Sequence, residues 1–218
     1  MAQKKAAELI PALFLDMFGD PATNPKGWAV ATLLAAGTSI RYGIGQPLPQ
    51  KQDGLPFLRA TNVKRGNIAR EGLVFIDPAA NPMKRNPPLH QSDIIVVRSG
   101  AYTGDVAQVG KEFEGTIAGY DLVLRPGDHH LPEFLATYLL LPFVQTGFIK
   151  KHKIRAAQPH LNAKQLGSIT VPIPPKTLQN AFAERLEAIR SIQSQQAAAT
   201  QKAQATFDAL LARTFGGL

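Results

Sequence analysis

The sequence predicts an α+β protein in which a compact β-rich domain is followed by one long C-terminal coiled-coil helix. Three observations predict it. Thr177 to Phe215 contains no Gly or Pro, in a chain with 18 Gly and 17 Pro elsewhere. Between Asp20 and Ile173, short Val, Ile and Leu runs alternate with Gly, Pro and Asn punctuation, as short strands do. The 218 residues are 44% hydrophobic and 18% charged, with a mean hydropathy of -0.08, an ordinary globular composition. They divide into a short N-terminal helix over 1–19, a domain over 20–172 and the long helix over 173–218.

In chain order, AAELIPALFLDMF (6–18) reads as a short amphipathic helix, with Ile10, Leu13, Phe14 and Met17 on one face, Gly19 as its C-cap and Pro11 breaking its first turn. Its end, Ala12 to Gly19, echoes Ala209 to Gly216, where Ala, Leu, Phe and Gly coincide. Such an echo suggests one unit of something built in twos. DPATNPKGW then reads as a turn-rich linker. Strands are expected at 55–59, 73–76, 94–98, 105–109, 122–125 and 168–173, and a helix over 131–151 with a break at Pro142. Pro172, Pro174 and Pro175 set the start of the long helix, and Gly216 and Gly217 its end. Phe182, Leu186, Ile189, Gln193, Gln196, Thr200, Ala203, Phe207, Leu210 and Thr214 follow an alternating step of four and three, a heptad seam. Apolar at both ends and small or polar between, the seam suits antiparallel pairing of two copies, the Phe182 end of one against the Phe207 end of the other.

Charge narrows the function. The net charge is +8 and the isoelectric point about 9.8, which favours polyanionic partners. From Phe134 to Ala183 there is no Asp or Glu, while Lys150, Lys151, Lys153, Arg155, Lys164 and Lys176 all fall there. Such a patch attracts phosphates in a salt-dependent way. Three loops are more polar than packing requires: one carries Arg41 and Tyr42, one Arg59, Thr61, Asn62 and Lys64, and one Ser99, Tyr102 and Thr103. These side chains hydrogen-bond base edges and phosphates, so they are the candidate DNA-binding residues. Lys150, Lys151, Lys153 and Arg155 are the candidates for phosphate.

Reaction chemistry is not visible. With no cysteine, disulfides and thiol chemistry are excluded. Asn86-Pro87-Pro88-Leu89 approaches the signature of adenine-N6 methyltransferases, but Leu89 stands where that signature needs an aromatic. The histidines lack zinc-site spacing, and His129 and His130, in a Pro/Gly/Asp turn, are expected to be solvated. No Walker loop and no nuclease carboxylate cluster appears. No catalytic residue and no metal site is therefore assigned. The absence of a long apolar run or cleavage signal places the chain in the cytoplasm.

Several stretches together resemble the DNA specificity subunits of type I restriction-modification systems. They are Leu55 to Val63, Ser92 to Gly100 followed by Gly104, Ile169 to Pro175 entering the long helix, and the closing Ala-Leu-Leu with Phe215-Gly216. The resemblance implies a target-recognition domain for double-stranded DNA and a helical spacer, non-catalytic in themselves. It also implies a methyltransferase subunit that brings S-adenosylmethionine, and in some systems a restriction/translocase subunit. Members usually carry two recognition domains and two helices, so one of each resembles a half-length form that homodimerises on an interrupted inverted repeat. A DNA methyltransferase or nuclease in its own right, or an RNA-binding or scaffolding protein, remains open from the residues alone.

Overall fold

The computed structural model describes residues 2–150 and 160–215. It begins with α1 (Ala2–Phe18), which runs through Pro11 rather than starting after it. The turns after the proline are held by packing, since Phe14, Met17 and Phe18 are buried. The linker is pinned back on this helix by Trp28, whose indole N–H donates to the Phe18 carbonyl at 2.9 Å. β1 (Ala29–Thr32) then pairs antiparallel with the late strand β11 (Thr170–Ile173), tying the two ends of the domain together.

The centre is a four-stranded antiparallel sheet. Its order is β2 (Ser39–Tyr42), β10 (Leu122–Arg125), β7 (Ile94–Val96) and β8 (Val106–Gln108). Both faces are covered, which explains the unbroken apolar runs Ile94 to Val97 and Leu122 to Leu124. Side chains alternate across a strand, so Ile94, Val96, Leu122 and Leu124 enter one core while Ile95, Val97 and Val123 enter another. The second core is completed by β3 (Gln50–Leu58), by the hairpin of β4 (Val63–Lys64) and β5 (Asn67–Ile68), and by Leu89 and Phe113. β3 also pairs antiparallel with β6 (Val74–Ile76) and parallel with β9 (Ile117–Ala118). The α+β expectation holds. The six expected strands are present, whereas β1, β2, β4, β5 and β9 went unread because two to four residues are too few for a period-two pattern.

The first core joins the sheet to the helices. α2 (Pro132–Leu140) stops at Leu141, where the expected break at Pro142 is found. A helical turn, Pro142–Val144, leads into a π-helical turn, Gln145–Ile149. α3 (Ala163–Gly167) is short and opens with a reciprocal capping box between Asn162 and Gln165. Last comes α4 (Lys176–Phe215), 40 residues and about 60 Å long at ~1.5 Å per residue.

Only the first turns of α4 touch the domain. Phe182 and Leu186 are fully buried, and the Phe182 ring lies 5.7 Å from Phe14 and 5.3 Å from Phe18. Phe134 and Tyr138 of α2 close the same cluster. Gln179, also fully buried, donates to the carbonyls of His129 and Pro174 and accepts from the Leu131 N–H, so no polar atom of its amide is lost inside the core. Farther along, Ile192, Phe207, Leu210 and Leu211 are exposed, Phe207 by 57%. The heptad seam is therefore divided. Phe182 and Leu186 serve the chain's own core and are not open to a second copy, which corrects the expected contact between the Phe182 end and the Phe207 end.

Phe182→Ala should lower stability by about 3–5 kcal/mol through the cavity it leaves. Phe207→Ala should change it by less than ~0.5 kcal/mol. Urea denaturation at a concentration low enough for single chains checks both.

Candidate nucleic-acid interface

The hairpin of β4 and β5 turns on Arg65 and Gly66, where Gly66 has φ +87°, a conformation that side chains resist. Asn62 holds the base of this hairpin. It is 0% exposed, its Oδ1 accepts the Arg59 N–H, and its Nδ2 donates to the carbonyls of Ala69 and Glu71. With the amide fully engaged, Asn62 shapes the loop instead of facing out of it. Arg59 is exposed, with one guanidinium nitrogen 2.7 Å from the Gly72 carbonyl. Thr61, Lys64 and Arg65 are exposed on the same loop.

Loop 98–104 lies against this hairpin. Lys64 Nζ sits 4.8 Å from the centre of the Tyr102 ring, and the Gly66 N–H donates to Val106 at 2.8 Å. Thr103 is buried, and its hydroxyl donates to the Gly100 carbonyl, so it too is a turn former. Ser99 is half-buried and forms an isolated antiparallel bridge with His160. Gly104, at φ +92°, lies so close to Ile149 that a Cβ there would come within 2.6 Å of its Cγ2. Gln145 of the π turn donates to the Gly104 carbonyl. Lys150, exposed beside Ile149, therefore sits at the edge of the same loop.

At the other edge, Arg98 lies between two exposed tyrosines. Its guanidinium carbon is 4.6 Å from the Tyr42 ring and 4.4 Å from the Tyr120 ring, and Nη2 meets His160 Nε2. Burial and the neighbouring Arg98 charge lower the His160 pKa, which keeps Nε2 free to accept. The Tyr42 hydroxyl accepts the Ala163 N–H at 3.0 Å. Beneath, Asp121 Oδ1 accepts the Arg98 backbone N–H, and burial pushes this carboxyl up to about 6 against the partial opposition of that bond and the Arg98 charge.

Three separated loops thus form one face, with Tyr42, Arg59, Thr61, Lys64, Ser99, Tyr102 and Lys150 on or beside it. Arg41 is not among them. Neighbouring side chains on a strand point opposite ways, and Arg41 reaches Asn86 Oδ1 at 2.5 Å and the Pro87 carbonyl at 3.0 Å, half-buried and with its pKa lowered by burial. Asn86 is itself buried and donates to Ala118, so Asn86-Pro87-Pro88-Leu89 is a packing element. Lys151, Lys153 and Arg155 lie outside the described residues. Sequence reading missed Tyr120 and His160, because a tyrosine and a histidine in turns carry no local mark of the arginine that joins them.

His130 is not solvated as expected. It is 2% exposed, stacks on Phe134 and bonds the Pro172 carbonyl through Nε2, and burial lowers its pKa. Among the described residues no group of His, Asp or Glu is placed to hold a metal, and no helix is long and apolar enough to cross a membrane. A groove of about 380 Å³ is lined by Glu114 and Glu133 with His90 and Gln108, and none of the candidate residues borders it.

Comparison with known proteins finds relatives in sequence and in fold. A model of the type I restriction modification DNA specificity domain matches residues 51–203. The specificity subunit of the type I restriction enzyme StySPI from Salmonella potsdam is 28% identical over 175 residues, 76% of this chain and 36% of that protein. That of EcoKI from Escherichia coli K12 is 27% identical over 181 residues, with the same coverage of each. The crystal structure of the HsdS subunit from Thermoanaerobacter tengcongensis superimposes with a TM-score of 0.60 at 22% identity, over 98% of this chain and 49% of that one, which speaks to the fold. The chain spans little more than a third of the two relatives and about half of the solved subunit.

Asn62→Ala should cost about 1–3 kcal/mol, because the three bonds that its buried amide makes to Arg59, Ala69 and Glu71 are lost, as a denaturant titration would show. Asp121 gives a signed expectation with pH. Its folded pKa is raised, so its contribution to stability is complete below the ordinary value of 3.8 and is lost as pH rises through about 6. Asp121→Asn should therefore melt higher than the wild type at pH 7, with the gap closing by pH 4 in thermal scans.

Proposed function

The chain belongs to the type I restriction-modification DNA specificity family, and from that membership we propose that it reads duplex DNA and pairs through α4 with a second copy. The observation that carries the reading is the single face on which the 59–72 hairpin, loop 98–104 and Tyr42 meet. Residues 20–172 act as the target-recognition domain and residues 173–218 as the dimerising spacer. Lys64 and Lys150 contact phosphate, together with Lys151, Lys153 and Arg155 of the cationic run. Arg59, Thr61, Ser99, Tyr102 and Tyr42 lie nearer the bases.

The chain's net charge of +8 and the exposed apolar residues of α4 support this. Because Phe182 and Leu186 are internal, pairing uses the helix from Ile189 onward. An antiparallel partner then sets Ile192 near Leu210 and Phe207 of the other copy, with Thr200 and Ala203 at the middle. Two copies related by a two-fold axis present the same face twice in inverted orientation, which matches a bipartite inverted-repeat site. The relatives named above are specificity subunits, and in that role the chain directs an adenine-N6 methyltransferase subunit, which holds S-adenosylmethionine, and in some assemblies a restriction subunit. The reading places the chain in the cytoplasm, with DNA.

Light scattering should give about twice the 23.5 kDa chain mass, falling to the single mass in Phe207→Asp. A wild type that stays single at every concentration would sink the pairing. In duplex-binding titrations Lys64→Ala should weaken affinity about equally for all sequences and reduce the salt slope by about one.

A further inference from the structure

Four described arginines of the domain already hold a partner. Arg41 is bound to Asn86 and Pro87, Arg59 to Gly72, Arg70 to the Glu112 carbonyl, and Arg125 forms an ion pair with Asp93. Among the described residues, no carboxylate or carbonyl bonds the Arg98 side chain. Its guanidinium carbon lies over both the Tyr42 ring and the Tyr120 ring, and one of its five N–H donors meets His160. Nε is buried without a partner.

This clamp is built from several elements. Tyr42 ends β2, Tyr120 precedes β10, and these strands are sheet neighbours with Leu122 opposite Tyr42. The Arg98 backbone is fixed by Asp121 and its side-chain edge by His160, whose own position is set by the bridge to Ser99. Packing against two rings restrains the guanidinium, and the terminal N–H donors not taken by His160 are left for a ligand. A flexible surface cation suits a phosphate, whereas an immobilised planar donor suits an acceptor pair of fixed geometry.

We infer that Arg98, clamped between Tyr42 and Tyr120, is a sequence-reading residue that donates from its edge to the O6 and N7 acceptors of a guanine in the major groove. The inference rests on the chain being a reader of duplex DNA. Tyr42, Tyr120 and His160 are positioning residues that act through Arg98.

The test is selection of bound duplexes from a randomised pool by the full chain, compared with Arg98→Lys, Arg98→Gln, Tyr120→Phe and Tyr120→Leu. The wild type should recover a motif containing a G·C pair that Arg98→Lys and Arg98→Gln cease to prefer, with discrimination at that pair reduced about 5- to 150-fold and the other positions kept. Tyr120→Phe, which keeps the ring, should retain the preference, and Tyr120→Leu should relax it at the same pair. Tyr120→Leu leaves Arg98 in place and decides the matter should the Arg98 variants fail to fold. Uniform loss across all sequences, the signature of a phosphate contact, overturns the inference, as does an unchanged motif. A wild type that selects no sequence overturns the DNA-reading function itself, and the inference with it.

Discussion

The rest of the structure depends on the aromatic contact among Phe14, Phe18, Phe134, Tyr138 and Phe182. Rings at 4.8–5.7 Å join α1, α2 and the first turns of α4, and such pairs add to the large apolar area they bury. Because α2 also packs on the central sheet, the cluster fixes where the long helix leaves the domain. A rod of about 60 Å acts as a spacer only when its root cannot swivel. Gln179 reinforces that root by bonding three backbone groups, the Leu131 N–H and the carbonyls of His129 and Pro174.

The recognition face follows the same logic on a smaller scale. Its loops are stiffened from within by side chains that look, in sequence, like contacts for a ligand. Asn62 and Thr103 are buried and bonded to backbone, and Arg41 is half-buried on Asn86 and Pro87. What is left facing outward is a smaller set, dominated by tyrosine rings and cations lying on one another. Rigid aromatic and guanidinium groups lose little freedom on binding, which suits the proposed role of this face in reading DNA.

The long helix divides its work along its length. Near Phe182 it behaves as a core helix, and beyond Ile189 it is exposed nearly all round. The echo between the ends of α1 and α4 acquires a physical meaning here. In α1 the echoing segment, with Phe14 and Phe18, supplies two of the five rings of the aromatic cluster; in α4 Leu210 and Leu211 are exposed. Similar sequence therefore occupies opposite environments at the two ends of one chain.

Composition, breakers and periodicity by themselves determined the α+β class, the Gly- and Pro-free helix and the break at Pro142, and a resemblance in short ordered strings pointed to the family. Each rests on local rules or on short ordered strings that survive without knowledge of what packs where. Only the tertiary structure decided which polar residues face outward and which part of the seam is free. An asparagine or arginine in a loop has the same sequence whether its donors meet water or a buried carbonyl, and a heptad seam reads alike on a core and on a partner. The clamp around Arg98 was beyond sequence for the same reason: its members come from positions 42, 98, 120 and 160, and only the pairing of β2 with β10 and the bridge from Ser99 to His160 bring them together.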